Sequence, residues 1–129
     1  MRAGLALSLV AAALLGGCGG GISIGIGGFF GDDVPPSVSV ASSVTTVRAG
    51  QAVRFVAAAS DADSGIDNVS FYRLDGSNGV LLGTDVTAPY EIETIAPTDG
   101  RTTLSIFARA QDREGNWAES VAVTIDVTP

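Results

Sequence analysis

From Val34 onward, apolar and polar side chains alternate with a period of two, and clusters of Gly, Asp and Asn interrupt the alternation about every 8–12 residues. A period of two places successive side chains on opposite faces of an extended chain, so each short run has one face to bury and one to leave in water. Ser37-Val38-Ser39-Val40 reads as a first strand. In a second, Val53, Phe55, Ala57 and Ala59 face one way and Arg54 the other. Val69 and Phe71 alternate with Ser70 and Tyr72 in a third, which Asp75-Gly76-Ser77-Asn78-Gly79 closes as a hairpin. Val80 to Gly83 makes a fourth and Tyr90-Glu91-Ile92-Glu93 starts a fifth. Leu104, Ile106, Ala108 and Ala110 line one face of a sixth, and Val121, Val123, Ile125 and Val127 one face of the last. Phe107 is out of step with its neighbours and faces away from them.

The segment from Val34 to Pro129 is just under a hundred residues, enough for one modest core, since domains of this size remove roughly 60–70% of their unfolded surface from water. Seven short strands in that length fit an all-β fold, an immunoglobulin-like β-sandwich of about seven antiparallel strands. The cysteine pair around a buried tryptophan that marks antibody domains is absent, because the single cysteine is Cys18 and Trp117 comes too late in the chain.

The N-terminal quarter has a different composition. Arg2 precedes an apolar run from Ala3 to Leu15 of about 13 residues, short of the roughly 20 a membrane-spanning helix requires. Leu15-Gly16-Gly17-Cys18 follows and resembles the lipobox of bacterial lipoproteins, with Leu at −3, small residues at −2 and −1, and Cys at +1. The resemblance implies cleavage before Cys18 and acylation of Cys18 itself, and several acyl chains anchor stably where one does not. Residues 1–17 are then a signal peptide, 18–33 a Gly-rich tether and 34–129 the folded domain. Glycine rather than aspartate after Cys18 implies sorting to the outer membrane if the cell is Gram-negative.

A second resemblance covers the domain. Asn68-Val69-Ser70-Phe71-Tyr72-Arg73-Leu74-Asp75-Gly76, then Leu81-Leu82-Gly83-Thr84-Asp85, Ala88-Pro89-Tyr90 and Ala110-Gln111-Asp112-Arg113-Glu114-Gly115-Asn116, is similar to the bacterial Ig-like repeats of cell-surface proteins. Such modules serve as spacers, adhesion units and accessory domains of secreted hydrolases, so the resemblance implies a fold more than a function.

The formal charge is −7, and loss of Arg2 with the signal leaves six arginines against fourteen acids, with no lysine. No basic patch is available to neutralise phosphates, which argues against nucleic acid as a partner. The chain contains no histidine, so imidazole catalysis and Cys/His zinc sites are excluded, and serine nucleophiles lack both a histidine and a lysine base. A carboxylate pair for glycoside hydrolysis is conceivable, but a sandwich this small supplies no deep cleft. The expectation is a non-catalytic module, held at a membrane by its lipid, whose partner is an envelope or extracellular protein or a glycan.

Following the strands up and down gathers Asp61, Asp63, Asp67, Asp85, Asp112 and Glu114 at the end where the chain enters the domain. Oxygen-rich loops suit calcium, which takes 6–8 oxygen ligands, and Asp61, Asp63, Asp112 and Glu114 are the candidate ligands. Aspartate beside Ser and Gly also forms turns by bonding the backbone two residues on, and that alternative stays open. Trp117, with Tyr72, Tyr90, Phe71 and Phe107, is a candidate ligand-stacking surface. An aromatic in the position of Trp117 more often plugs one end of a sandwich.

Overall fold

The computed structural model of the protein describes residues 33–129. The expectations for the signal segment, for acylation at Cys18 and for the tether up to residue 32 lie outside the described residues. Nine strands follow in order: β1 (Ser37–Ser42), β2 (Thr46–Arg48), β3 (Ala52–Ser60), β4 (Ile66–Asp75), β5 (Asn78–Asp85), β6 (Tyr90–Ile95), β7 (Thr103–Asp112), β8 (Trp117–Glu119) and β9 (Val123–Thr128). β1-β3-β6 form one sheet. The other runs β2-β9-β7-β4-β5, with β8 also paired to β7. Among the described residues there is no helix.

The seven runs of alternation are present, a further short strand, β2, follows the first, and the last is broken in two. Ser43 N–H still donates to Arg54 O (3.0 Å) at the end of β1, after which the chain crosses to the other sheet. There Thr45 O accepts the Asp126 amide (3.0 Å), and β2 lies parallel to β9 in the register Thr46↔Asp126, Val47↔Val127. One parallel pair thus enters a fold that alternation alone reads as antiparallel throughout. The last run breaks at Ser120, whose Oγ accepts the Ala108 amide (2.9 Å) while its own amide donates to Ala108 O (2.8 Å). That loop of side chain and backbone turns Val121 out, 89% exposed, so Val121 does not share the inward face of Ile125 and Val127.

The core lies between the sheets and follows the period-two pattern closely. Val53, Phe55 and Ala57 of β3 meet Val69 and Phe71 of β4, Leu104, Ile106, Ala108 and Ala110 of β7, and Ile125 and Val127 of β9. Phe71 sits opposite Ala108 in the β4–β7 ladder, so the large ring stands beside a methyl group. Val47 joins this core from β2 and Tyr90 from the start of β6.

Truncation of a fully buried side chain with few ways to collapse costs about 2–5 kcal/mol, whereas an outward one on the same scaffold costs within about 0.5 kcal/mol. Ile106→Ala is therefore expected to lower urea stability by the larger amount and Val56→Ala by the smaller. Val69→Asp or Ile106→Asp places an unpaired charge in the core and should abolish cooperative folding, as read by circular dichroism.

Candidate functional site

Two regions collect the residues with chemical potential: the acidic end and the outer face of the β5-β4-β7-β8 side. At the acidic end, β3 runs into Asp61 and β7 ends at Asp112. The loops are tied together by the Arg113 amide donating to Gly65 O (3.1 Å). Asp61 Oδ1 accepts the amides of Asp63 (3.0 Å), Ser64 (2.9 Å) and Gly65 (3.4 Å), so one carboxylate oxygen organises the whole turn.

Asp112 does the same for the β7–β8 connection. Its Oδ1 accepts the Glu114 amide (2.9 Å) and the Asn116 amide (2.8 Å), its Oδ2 accepts Asn116 Nδ2 (2.9 Å), and Gly115 completes the turn with φ 95°. Asp112 is 1% exposed, the one buried charged residue among those described. Burial pushes its carboxyl up. The hydrogen bonds from Asn116 and Glu114, with a smaller contribution from Asp61, outweigh burial and hold it below the ordinary aspartate range.

The structure brings Asp61 and Asp112 to one end of the sandwich, where Asp61 Oδ1 and Asp112 Oδ1 are spent on backbone amides and Asp112 Oδ2 on the Asn116 side chain. Asp63 and Glu114 are exposed. Among the described residues, no three ligating side chains come together in a group that would hold a metal ion. Asp85 also caps, accepting the Thr87 amide (3.1 Å) and the Glu91 amide (3.1 Å). At the opposite end, Asp75 accepts hydrogen bonds from Arg73 Nε (2.8 Å) and Arg101 Nη1 (2.7 Å). Arg73 first and then Arg101 hold its carboxyl well below the usual range, and the Arg101 bond joins the β4–β5 hairpin to the β6–β7 loop.

The outer face is built by the same ladders that build the core. Tyr72 lies opposite Phe107, Arg109 opposite Glu119 and Gln111 opposite Trp117. The rings of Tyr72 and Phe107 stack at 5.1 Å between centroids, 10° from parallel. Arg109 Nε donates to Glu119 Oε2 (3.1 Å), which aligns the guanidinium over Trp117 at 4.5 Å from the ring centroid, with Tyr72 5.4 Å away on the other side. That hydrogen bond raises the arginine's already high pKa further, so the cation is permanent.

Gly79 of β5 lets Phe107 lie flat, because a Cβ there would stand 3.2 Å from the end of the ring. The result is a shallow groove of about 510 Å³ lined by Tyr72, Leu74, Phe107, Arg109, Glu119 and Ser120. Trp117 stands beside it, 53% exposed, and so does not plug the sandwich. Arg109 and Glu119 were not among the expected site residues. The signal for Arg109 lay in the alternation itself, which puts it on the same outward face as Phe107.

Because the carboxyl of Asp112 is depressed in the folded state, it contributes stability that is fully present above the ordinary aspartate range and is lost as pH falls through its folded value. Asp112→Asn is expected to lower the melting midpoint at neutral pH by several degrees. It should also flatten the loss of stability in thermal melts run from pH 5 downward, while Glu114→Gln leaves both unchanged.

The fold described above finds counterparts among known proteins. The structure superposes with a TM-score of 0.57 on a chain from the "Structures of Clostridium thermocellum CbhA fibronectin(III)-like modules", at 25% identity, over 74% of this chain and 46% of that one. The chain thus spans about half the length of that structure. Comparison with curated proteins finds no match. Residues 36–106, more than half of the chain, match the family described as the bacterial Ig domain. With its two-sheet sandwich and this match, the chain belongs to the bacterial Ig domain family.

Proposed function

We propose that this protein is a lipid-anchored, non-catalytic module of the bacterial cell envelope, which uses the outer face around Trp117, Arg109, Tyr72 and Phe107 to hold another macromolecule. The observation that carries this reading is the half-exposed Trp117 fixed beneath Arg109, beside a shallow groove walled by a second aromatic stack. Exposed aromatic and arginine side chains with few remaining rotamers give large contact area at low entropic cost, and such residues dominate binding energies at interfaces. The groove is too open to exclude water from a reacting group, which fits holding rather than catalysis.

The anchor rests on Cys18 as the only cysteine, placed at the end of Leu15-Gly16-Gly17-Cys18. A glycan is the alternative occupant, favoured by the free part of the Trp117 ring, on which a sugar can stack. A protein is preferred because the arginine and glutamate beside the ring already satisfy each other and leave few unpaired donors for hydroxyl groups.

Two experiments test this. Cys18→Ser should abolish incorporation of labelled fatty acid and release the chain from the membrane fraction, and unchanged partitioning would remove the anchor. Trp117→Ala should leave the thermal melt close to wild type, because the ring lies outside the core, and should weaken retention on envelope protein by about tenfold or more. Loss of retention on envelope polysaccharide, with protein binding intact, would select the glycan. Retention unaffected on both would move the site away from this face.

A further inference from the structure

Arg109 covers one face of the Trp117 ring at 4.5 Å, yet the residue is 53% exposed. The two faces make up most of a ring's surface, so exposure of that size leaves the second face largely open. An indole face attracts a cation through the ring's quadrupole, and a guanidinium stacks on it flat. The molecule already uses the first face in this way. Phe107, Tyr72, Arg109 and Trp117 follow one another at 5.1, 5.4 and 4.5 Å, and Glu119 cancels the charge of the arginine among them.

A carboxylate is tied to the same row of the outer face. The β4–β7 ladder shifts register between Ile66 and Asn68, so Asp67 has no partner across it. Asp67 Oδ2 accepts a hydrogen bond from Asn68 Nδ2 (2.8 Å), which also donates to Gln111 Oε1 (3.2 Å), and Gln111 is the ladder partner of Trp117. Asp67 itself is exposed. Two strand spacings, roughly 10 Å, separate β4 from β8, a span that side chains of one extended segment can bridge.

Charge selects what covers this face. Asp61, Asp63, Asp67, Asp85, Asp112 and Glu114 stand at the end of the sandwich where β8 begins with Trp117, and among the described residues none of them is in an ion pair. Arg113 is the one arginine in the loops there. At the opposite end, Arg73 and Arg101 neutralise Asp75 and Asp99. Most of the net charge of −7 therefore gathers on the side of the open indole, and a cationic partner relieves the repulsion among those carboxylates.

Given that this face holds a protein, as proposed above, we infer that it takes a basic segment of that protein, with an arginine stacked on the open face of Trp117 and a second cation against Asp67. Arginine is preferred to lysine because its planar group continues the existing stack.

Trp117 is the only tryptophan of the chain, so its emission reports the site directly. The probes are a short peptide without aromatic residues that carries several arginines, and its twin with citrulline at those positions, which keeps the shape and loses the charge. Titrated into the full chain, the arginine peptide should change Trp117 emission saturably and the citrulline twin should bind about tenfold more weakly. Asp67→Asn should weaken the arginine peptide about threefold. Asp126→Asn, which removes the same charge beside Thr103 toward the opposite end, should leave it unchanged. Both aspartates are exposed, so the melts of both variants should stay near wild type. By anisotropy of a labelled arginine peptide, Trp117→Ala should lower affinity about tenfold.

Equal binding of the two peptides, equal losses at Asp67 and Asp126, or anisotropy indifferent to Trp117→Ala would each overturn the inference. If retention on envelope protein still depended on Trp117 in such a case, the face would remain a protein-binding one and only its cationic partner would be lost. If retention were indifferent to Trp117 as well, both would fall.

Discussion

The antiparallel pairing of β4 with β7 carries both halves of this molecule. On one face the pair presents Val69, Phe71, Leu104, Ile106, Ala108 and Ala110 to the opposite sheet, and on the other it presents Tyr72, Phe107 and Arg109 to solvent. A slip of one residue in this ladder would exchange the two sets, burying an arginine and exposing the core. The hydrophobic demand of the inner face therefore fixes the register of the outer face, and the aromatic–arginine array is positioned without loops to support it.

Much of this was legible in the chain itself, for a physical reason. Burial on one face of a strand writes itself as alternation, so Val53-Phe55-Ala57, Val69-Phe71 and Leu104-Ile106-Ala108-Ala110 could be assigned inward before any coordinates. The same period set Tyr72 and Phe107 outward. What alternation does not encode is where a strand changes partner. Nothing in Thr45-Thr46-Val47-Arg48 distinguishes a strand that continues along β3 from one that crosses to lie parallel to β9. The break at Ser120 depends on one hydroxyl accepting one amide. Val121 continues the apolar pattern in sequence and leaves it in space, because the chain has already stepped out of register. Exposure of Trp117 was equally hidden, since it depends on Arg109 holding the ring flat from a strand eight residues earlier.

The acidic residues illustrate a division between the ends and the face of the sandwich. Asp61, Asp85 and Asp112 each gather two or more backbone amides, and Asp75 gathers two arginines, so the carboxylates that looked most like ligands in sequence serve mainly to shape turns. A short loop between strands leaves several amides without ladder partners, and an aspartate at the strand end satisfies them with the fewest atoms. The ends are thereby closed by internal bonds, and the exposed aromatic surface is left on the sheet, where strands hold it more rigidly than loops would.

The crossing of the chain from β1 to β2 has a mechanical consequence. Tension arriving through the residues that precede Asp33 does not fall on one sheet alone, because β1 is bonded to β3 and β2, three residues further on, is bonded to β9. Peeling β1 from its sheet still leaves the chain pinned in the other. The parallel β2–β9 segment, pulled along its length, is loaded in shear, so its hydrogen bonds must yield together rather than one at a time. A domain whose first two strands stitch both layers is built to resist being opened by tension on its N-terminal end.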